Sequence, residues 1–387
     1  MRSAKSGFAC VILMWGLILC TTSVSRSTDM ENQGTRPDRA EFPQLVSYDP
    51  MLQQESTGDS KKVSSEKHRA DWMSKGSFGL MVHYLIGPAG NTPDEKTADF
   101  NRTVSAFDVT RFVQQFNSTG ADWLIFTIGQ NTSYYSSPNS FLDARVPGHT
   151  SRRDLVLEIA TALKASGKRF IAYMPAELAA PADLHETFGW RADDPQQAAF
   201  QPNYQAFIRA YSVQYGKNCD GWWFDGCYEW PVFPNKYFDF AGYIAAARAG
   251  NPDAITAFND GAFCVGKIKP VSPLEDYHAG EIHTLVDGQV ALGWWQNNPK
   301  PYLPDSRFVE GVQWHGLLPV DSTFCGPALP DQHYDDATLI KLLQAVKSVG
   351  GAMTFNLPIG RDGVVPEASI AQMQRLGRAS GAASGKQ

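Results

Sequence analysis

The sequence predicts an α/β fold in which eight parallel strands alternate with helices and close into a (β/α)8 barrel of the TIM type. Three observations carry that expectation. Beyond Trp72, short apolar runs rich in β-branched and aromatic residues alternate with longer stretches at helical spacing, the pattern of a parallel sheet covered by helices. Eight such runs can be counted, and that number over about 300 residues suits a closed barrel. The rival architecture, an open doubly wound sheet, would carry GxGxxG after its first strand, and no such fingerprint is present.

Taken in order, residues 1–25 combine Arg2 and Lys5, an apolar run from Phe8 to Leu19 and the small residues Ser23-Val24-Ser25, the layout of a secretory signal peptide. The apolar run is shorter than the ~20 residues that span a bilayer, so no membrane span is expected after its removal. Cys20 follows Leu17-Ile18-Leu19, which lacks the small residues of a lipoprotein cleavage site. Residues 26–67 are polar and poor in aromatics and read as a disordered linker. Residues 68–380 are expected to form the barrel and 381–387 a tail, with no C-terminal β-sandwich.

The expected strands are Phe78 to Tyr84, Trp123 to Ile128, Arg169 to Pro175, Gly221 to Asp225, Ile255 to Asn259, Asp276 to Glu281 (the weakest), Val312 to Leu318 and Ala352 to Pro358. Arg153 to Ser166 is the clearest helix, with Leu155, Ile159, Ala162 and Leu163 on one face and Gly167 as its stop. Gln197 to Tyr215, Asn235 to Ala249 and Asp335 to Ser348 follow the same pattern.

Composition narrows the function. Of 387 residues 43% are hydrophobic and 19% charged, enough apolar matter for one large core. Loss of Arg2 and Lys5 with the leader changes the net charge from −6 to −8, which offers nucleic acid no basic face. Cys10 and Cys20 leave with the leader, and Cys219, Cys227, Cys264 and Cys325 show no CxxC spacing, against a zinc site. Oxidised pairs and free buried thiols both remain open for these four. Three N-x-S/T sequons lie at Asn101, Asn117 and Asn131.

In a barrel the reacting groups project from the C-terminal ends of the strands. The polar residues there include His83, Gln130 with Asn131, Glu177, Asp225 with Glu229, Asn259 with Asp260, Asp276 with Glu281, Trp314 with His315, and Asn356. The most informative run is Asp220-Gly221-Trp222-Trp223-Phe224-Asp225-Gly226. An aspartate capping a helix or a turn would explain Asp225 alone, but sugar rings stack their C–H faces on aromatics such as those that precede it. Glycoside hydrolysis needs two carboxyls, one nucleophilic and one protonated. The candidates for the second are Glu275, Asp276, Glu281, Glu177 and Glu229.

From Trp72 to about Leu376 the chain resembles glycoside hydrolase family 29, the α-L-fucosidases. Phe78-Gly79-Leu80-Met81-Val82-His83 is similar to that family's first strand. Arg153-Asp154-Leu155-Val156 with Phe170-Ile171-Ala172-Tyr173 resembles its RDLV helix and following strand, Asp220 to Gly226 its WFDG strand, and Asp276 to Glu281 its DYGTPE-like turn. Asn356-Leu357-Pro358-Ile359-Gly360 with Asp362-Gly363-Val364-Val365-Pro366 resembles the end of its barrel.

The resemblance implies a retaining exo-glycosidase that needs no cofactor or metal, and the leader implies that it is secreted or periplasmic. Asp225 would be the nucleophile and Glu281 the acid/base, desolvated by aromatics such as Trp222 and Tyr277. His83, Gln130, Asn131, Tyr173, Glu177, Trp223, Glu229, Asn259, Trp314 and His315 would surround an oligosaccharide or glycoconjugate. Gln130-Asn131 stands where the family has paired histidines, Tyr84-Leu85 replaces Trp-Gly, and Trp314-His315 replaces Trp-Glu. Another sugar specificity, or a glycan-binding protein without catalysis, are the alternatives. A metal-dependent deacetylase or lyase would have to assemble ligands such as His83, His278 and His315. The oligomeric state is left open.

Overall fold

The computed structural model describes residues 67–130, 132–227, 235–261, 269–282, 284–292, 300–321, 324 and 334–381. The expected leader, nearly all of the linker and tail, Asn131, Glu229, Cys264 and Cys325 lie outside the described residues. No helix among those described is long and apolar enough to cross a membrane.

The centre is a seven-stranded parallel sheet. Its strands are β1 (Gly79–Val82), β2 (Trp123–Thr127), β3 (Arg169–Pro175), β4 (Gly221–Asp225) and β5 (Ile255–Phe258), with two more near the C-terminus. Between them in sequence come β6 (Thr284–Val286), β7 (Gln289–Leu292) and β8 (Lys300–Pro301), an antiparallel sheet of three strands, and the pair β9 (Phe308–Val309) and β10 (Val312–Gln313). The chain then returns through β11 (His315–Pro319) and β12 (Ala352–Leu357), giving the order β11-β12-β1-β2-β3-β4-β5.

Two expected runs need correction. Val312 to Leu318 is not one strand: Trp314 separates β10, which pairs antiparallel with β9, from β11, which joins the sheet. Asp276 to Glu281 forms no regular strand, although it makes isolated parallel bridges at Tyr277 to Gln313 and Glu281 to Leu317. Its backbone contacts both edges of the sheet. Asp276 N–H donates to the Thr256 carbonyl at 3.0 Å, and Ile282 N–H donates to the Leu317 carbonyl at 2.8 Å.

Alternation along the strands divides the interior into two cores. Leu80, Val82, Phe126, Phe170, Trp222, Phe224, Leu318 and Phe355 face the helices. Met81, Ile125, Ile171, Tyr173, Trp223, Ala257, Leu317 and Ala352 gather on the other face, together with Tyr277 and Ala279. Trp222 stacks among Tyr215 and Phe224 in the helix layer, so it is not the wall of the acid site that its sequence position suggested. Gly79 has a specific reason to be glycine. A Cβ there would lie 1.9 Å from the indole nitrogen of Trp123, which is held by the Thr354 hydroxyl at 2.8 Å.

Helix Leu155–Ala165 shows how local sequence sets the frame. Asp154 caps it by accepting from Leu157 N–H. Arg153 ties its start to the end of the earlier helix Pro93–Ala106, donating to the carbonyls of Val104, Ser105 and the capping Phe107 while pairing with Glu158 at 2.6 Å. Gly167, at φ +71°, ends the helix as expected.

Candidate active site

Asp225 is the last residue of β4 and 8% exposed. Strand register brings its donors to it, because Pro175 of β3 lies opposite Asp225 and Tyr173 opposite Trp223. The Tyr173 hydroxyl donates to Asp225 Oδ2 at 2.5 Å, and Gln130 Nε2, just beyond β2, donates to the same oxygen at 2.8 Å. Asn259, just beyond β5, donates from Nδ2 to Asp225 Oδ1 at 2.8 Å and to Glu281 Oε2 at 2.5 Å. One amide therefore bridges the two carboxylates. Its own Oδ1 accepts from Gly261 N–H at 3.2 Å.

The remaining wall is aromatic. Tyr173 stacks on Trp223 with centroids 4.9 Å apart, and the Trp223 indole N–H donates to the Ala279 carbonyl at 3.2 Å. His83 meets Tyr173 edge-on at 5.3 Å, and its Nδ1 lies 2.8 Å from Asn356 Oδ1. Asn356 Nδ2 donates to the Phe324 carbonyl at 2.9 Å, which leaves Oδ1 facing the ring. His83 Nδ1 must therefore carry the proton, and Nε2 presents a lone pair.

Glu177 is placed by a turn. Gly226 adopts φ +81°, and a Cβ there would lie 2.9 Å from Glu177 Cγ. The glycine both permits the left-handed turn and lets the glutamate pack beside Asp225. Ala179 N–H donates to Glu177 Oε2.

Burial dominates the electrostatics. It raises the Asp225 carboxyl, and the nearby Glu281 charge raises it further, against hydrogen bonds from Tyr173, Asn259 and the Gly226 amide. Burial pushes Glu177 up to about 7, opposed by the Ala179 N–H and helped by Asp225. His83 is pushed down to about 4 by burial, against its Asn356 bond and the Glu281 charge, so it is neutral near pH 7.

His83, Gln130, Tyr173, Glu177, Trp223, Asp225, Asn259 and Glu281 thus form one constellation. Trp314 and His315 are not part of it. They stand at the start of β11, the opposite end from Asp225, because the sheet strand begins at His315. Trp314 is fully buried against the helix layer. His315 is filled on both nitrogens, by the His278 carbonyl at 2.9 Å and Thr354 Oγ1 at 2.8 Å. Of the other carboxyls, Asp276 pairs with Arg248 at 2.5 Å. Glu275 Oε1 accepts from Val271 and Ser272 N–H, each at 2.9 Å. Among the described residues no three His, Cys, Asp or Glu side chains are grouped to hold a metal ion, and Cys219 and Cys227 are free, buried thiols.

Sequence reasoning did not single out Phe324 or Asp321. Asp321 lies two residues past β11 and is 4% exposed. Its only sequence signal was an acidic residue shortly after an apolar run.

No protein-family model matches the sequence, and no curated protein matches it. Solved structures do share the fold. An endo-fucoidan hydrolase from glycoside hydrolase family 107 superposes with a TM-score of 0.57 at 18% identity, over 80% of this chain and 53% of that one. This chain thus spans about half the length of that protein. A family 29 α-L-fucosidase from Bacteroides thetaiotaomicron gives a TM-score of 0.57 at 13% identity, over 83% and 74% of the two chains. α-L-Fucosidase isoenzyme 1 from Paenibacillus thiaminolyticus gives 0.55 at 16% identity, over 80% and 74%. The chain is folded like these glycoside hydrolases.

Proposed function

We propose that the protein is a retaining glycoside hydrolase of fucosidase type, releasing a terminal sugar from an oligosaccharide or glycoconjugate outside the cytoplasm. The observation that carries this reading is the Asn259 amide shared by Asp225 and Glu281. The two bonded oxygens lie less than about 5.3 Å apart, the sum of those two hydrogen bonds, which is short enough for a retaining pair (~5–5.5 Å) and below the ~6.5–9.5 Å of inverting ones. In this reading the segment 276–282 is the eighth strand and completes the barrel, which sets Glu281 beside β5.

Asp225 attacks the anomeric carbon while the glycosidic C–O bond breaks and the departing oxygen takes a proton from Glu281. The resulting glycosyl-Asp225 ester is then cleaved by water, whose proton returns to Glu281, and the Asp225 carboxylate leaves. Tyr173, Gln130 and Asn259 hold the nucleophile and stabilise its ionised form. Glu177 is a second candidate for the proton donor, because burial brings it to about 7.

Hydrolysis of an aryl α-L-fucoside, beside a panel of other aryl glycosides, tests the proposal. Turnover that disappears in Asp225→Ala supports it, and azide rescue of Glu281→Gln but not Glu177→Gln identifies the acid/base. Binding of sugar without any turnover would replace the enzyme reading with that of a glycan-binding protein.

A further inference from the structure

The reaction just described leaves several buried acceptors without a donor. Gln130 gives its amide N–H to Asp225, but its Oε1 is buried and has no hydrogen-bond partner among the described residues. Both carboxylate oxygens of Asp321 are in the same state.

The fold aims Asp321 at the site. Along β11 and just beyond it, Leu318 and Val320 face the helix layer, whereas His315 meets Tyr277 and Leu317 joins the inner cluster. Val320 N–H still donates to the Asn356 carbonyl at 3.2 Å, so the extended pairing persists to that residue. The next side chain, Asp321, falls on the inner side at the end of the sheet where Asn356 holds His83. Phe324, shortly after it, lies 6.1 Å from His83.

Asp321, Gln130 Oε1 and the lone pair on His83 Nε2 all accept hydrogen bonds. Buried acceptors are costly until a donor arrives. Among the described residues, carboxylates also act on their neighbours at this end: Glu281 on Asp225 and on His83, and Asp225 on Glu177. A sulfate ester or a uronic carboxylate would bring only acceptors and further negative charge. A neutral sugar brings hydroxyl donors.

We propose that Asp321 receives the hydroxyl groups of the sugar held over Asp225, and that this acceptor-lined end selects an uncharged saccharide over its sulfated or carboxylated counterpart. This rests on the glycosidase reading above. The test compares wild type, Asp321→Asn and Asp321→Ala on the best aryl glycoside and on the same glycoside carrying one sulfate. Binding of the free sugar is followed by calorimetry, and circular dichroism verifies the fold.

The expected result is that wild type discards the sulfated substrate, while either variant raises KM for the neutral one by about 10-fold, the loss of a charge-assisted hydrogen bond, with a smaller change in kcat. Asp321→Asn, which removes the charge and keeps the shape, also narrows the neutral-to-sulfated preference by about 10-fold. Equal use of both substrates by wild type, or folded variants with KM and preference within about twofold of wild type, overturns the assignment of Asp321 alone. If wild type cleaves no glycoside, the catalytic reading fails separately. Sugar binding weakened by Asp321→Ala then upholds the acceptor role, and absence of sugar binding by wild type overturns it as well.

Discussion

The two ends of β4 each carry a buried aspartate, and they are held in opposite ways. Asp220, immediately before the strand, is 4% exposed and surrounded by cations, with Arg169 at 2.7 Å and Lys164 at 3.1 Å. Asp225, at the other end, is 8% exposed and meets Tyr173, Gln130 and Asn259, none of them charged, beside a second carboxylate. Asp276 repeats the first pattern with Arg248. One end spends its charges on holding strands to helices, and the other keeps a carboxylate under electrostatic tension. That division is the one expected of a barrel, where the N-terminal end serves stability and the C-terminal end chemistry.

Exchanging the two aspartates for asparagine breaks the comparison most directly. Asp225→Asn should lower kcat by at least about 10⁴-fold with the melting temperature unchanged or raised, since a destabilised carboxylate is removed. Asp220→Asn should leave kcat near wild type and cost about 1–3 kcal/mol, a range that allows for the solvent screening of its half-exposed partners. Kinetics and chemical denaturation of both variants check this, and equal kinetic damage from both would erase the distinction.

Tyr173→Phe sharpens it. The variant removes one neutral donor and should reduce kcat by about 10²-fold. The acid limb of the kcat/KM profile should also move to higher pH, because burial and Glu281 are then less opposed at Asp225. A profile that keeps its acid limb would show that the hydroxyl does not govern the charge of Asp225.

The smallest effect concerns Glu177, raised from 4.5 to about 7 on folding. A carboxyl raised in this way contributes full stability while protonated below 4.5 and loses it as pH rises through about 7. Wild type should therefore lose on the order of 1–2 kcal/mol across that window. Glu177→Gln should show less of that loss when unfolding is followed from pH 4.5 to 8.

Much of this arrangement was legible in the chain. The β3 and β4 boundaries were read correctly because each is a short apolar and aromatic run that stops at a residue unsuited to continue it, Pro175 in one and Asp225-Gly226 in the other, and Asp225 stood out as a charge directly after three aromatics. Trp314 and His315 were misplaced for the converse reason. A polar residue beside an apolar run can begin a strand as well as end one, and only pairing with β12 shows that His315 begins it. The donor set around Asp225 depends on register between strands far apart in sequence. Gln130 was expected at the sugar, whereas its amide is turned to the nucleophile. Glu177 could be named, but its approach to Asp225 depends on the turn at Gly226, which composition alone does not position.

Asn259 gives the site a distinct vulnerability to chemical ageing. Asparagine is a thermolabile residue, and hydrolysis of this one amide to aspartate would replace the donor shared by Asp225 and Glu281 with a third carboxylate in contact with both. The side chain would keep its size, but two hydrogen bonds would give way to repulsion between buried carboxylates and weaken the fold. Under the proposed function, such a preparation would lose activity with time and its melting temperature would fall as well.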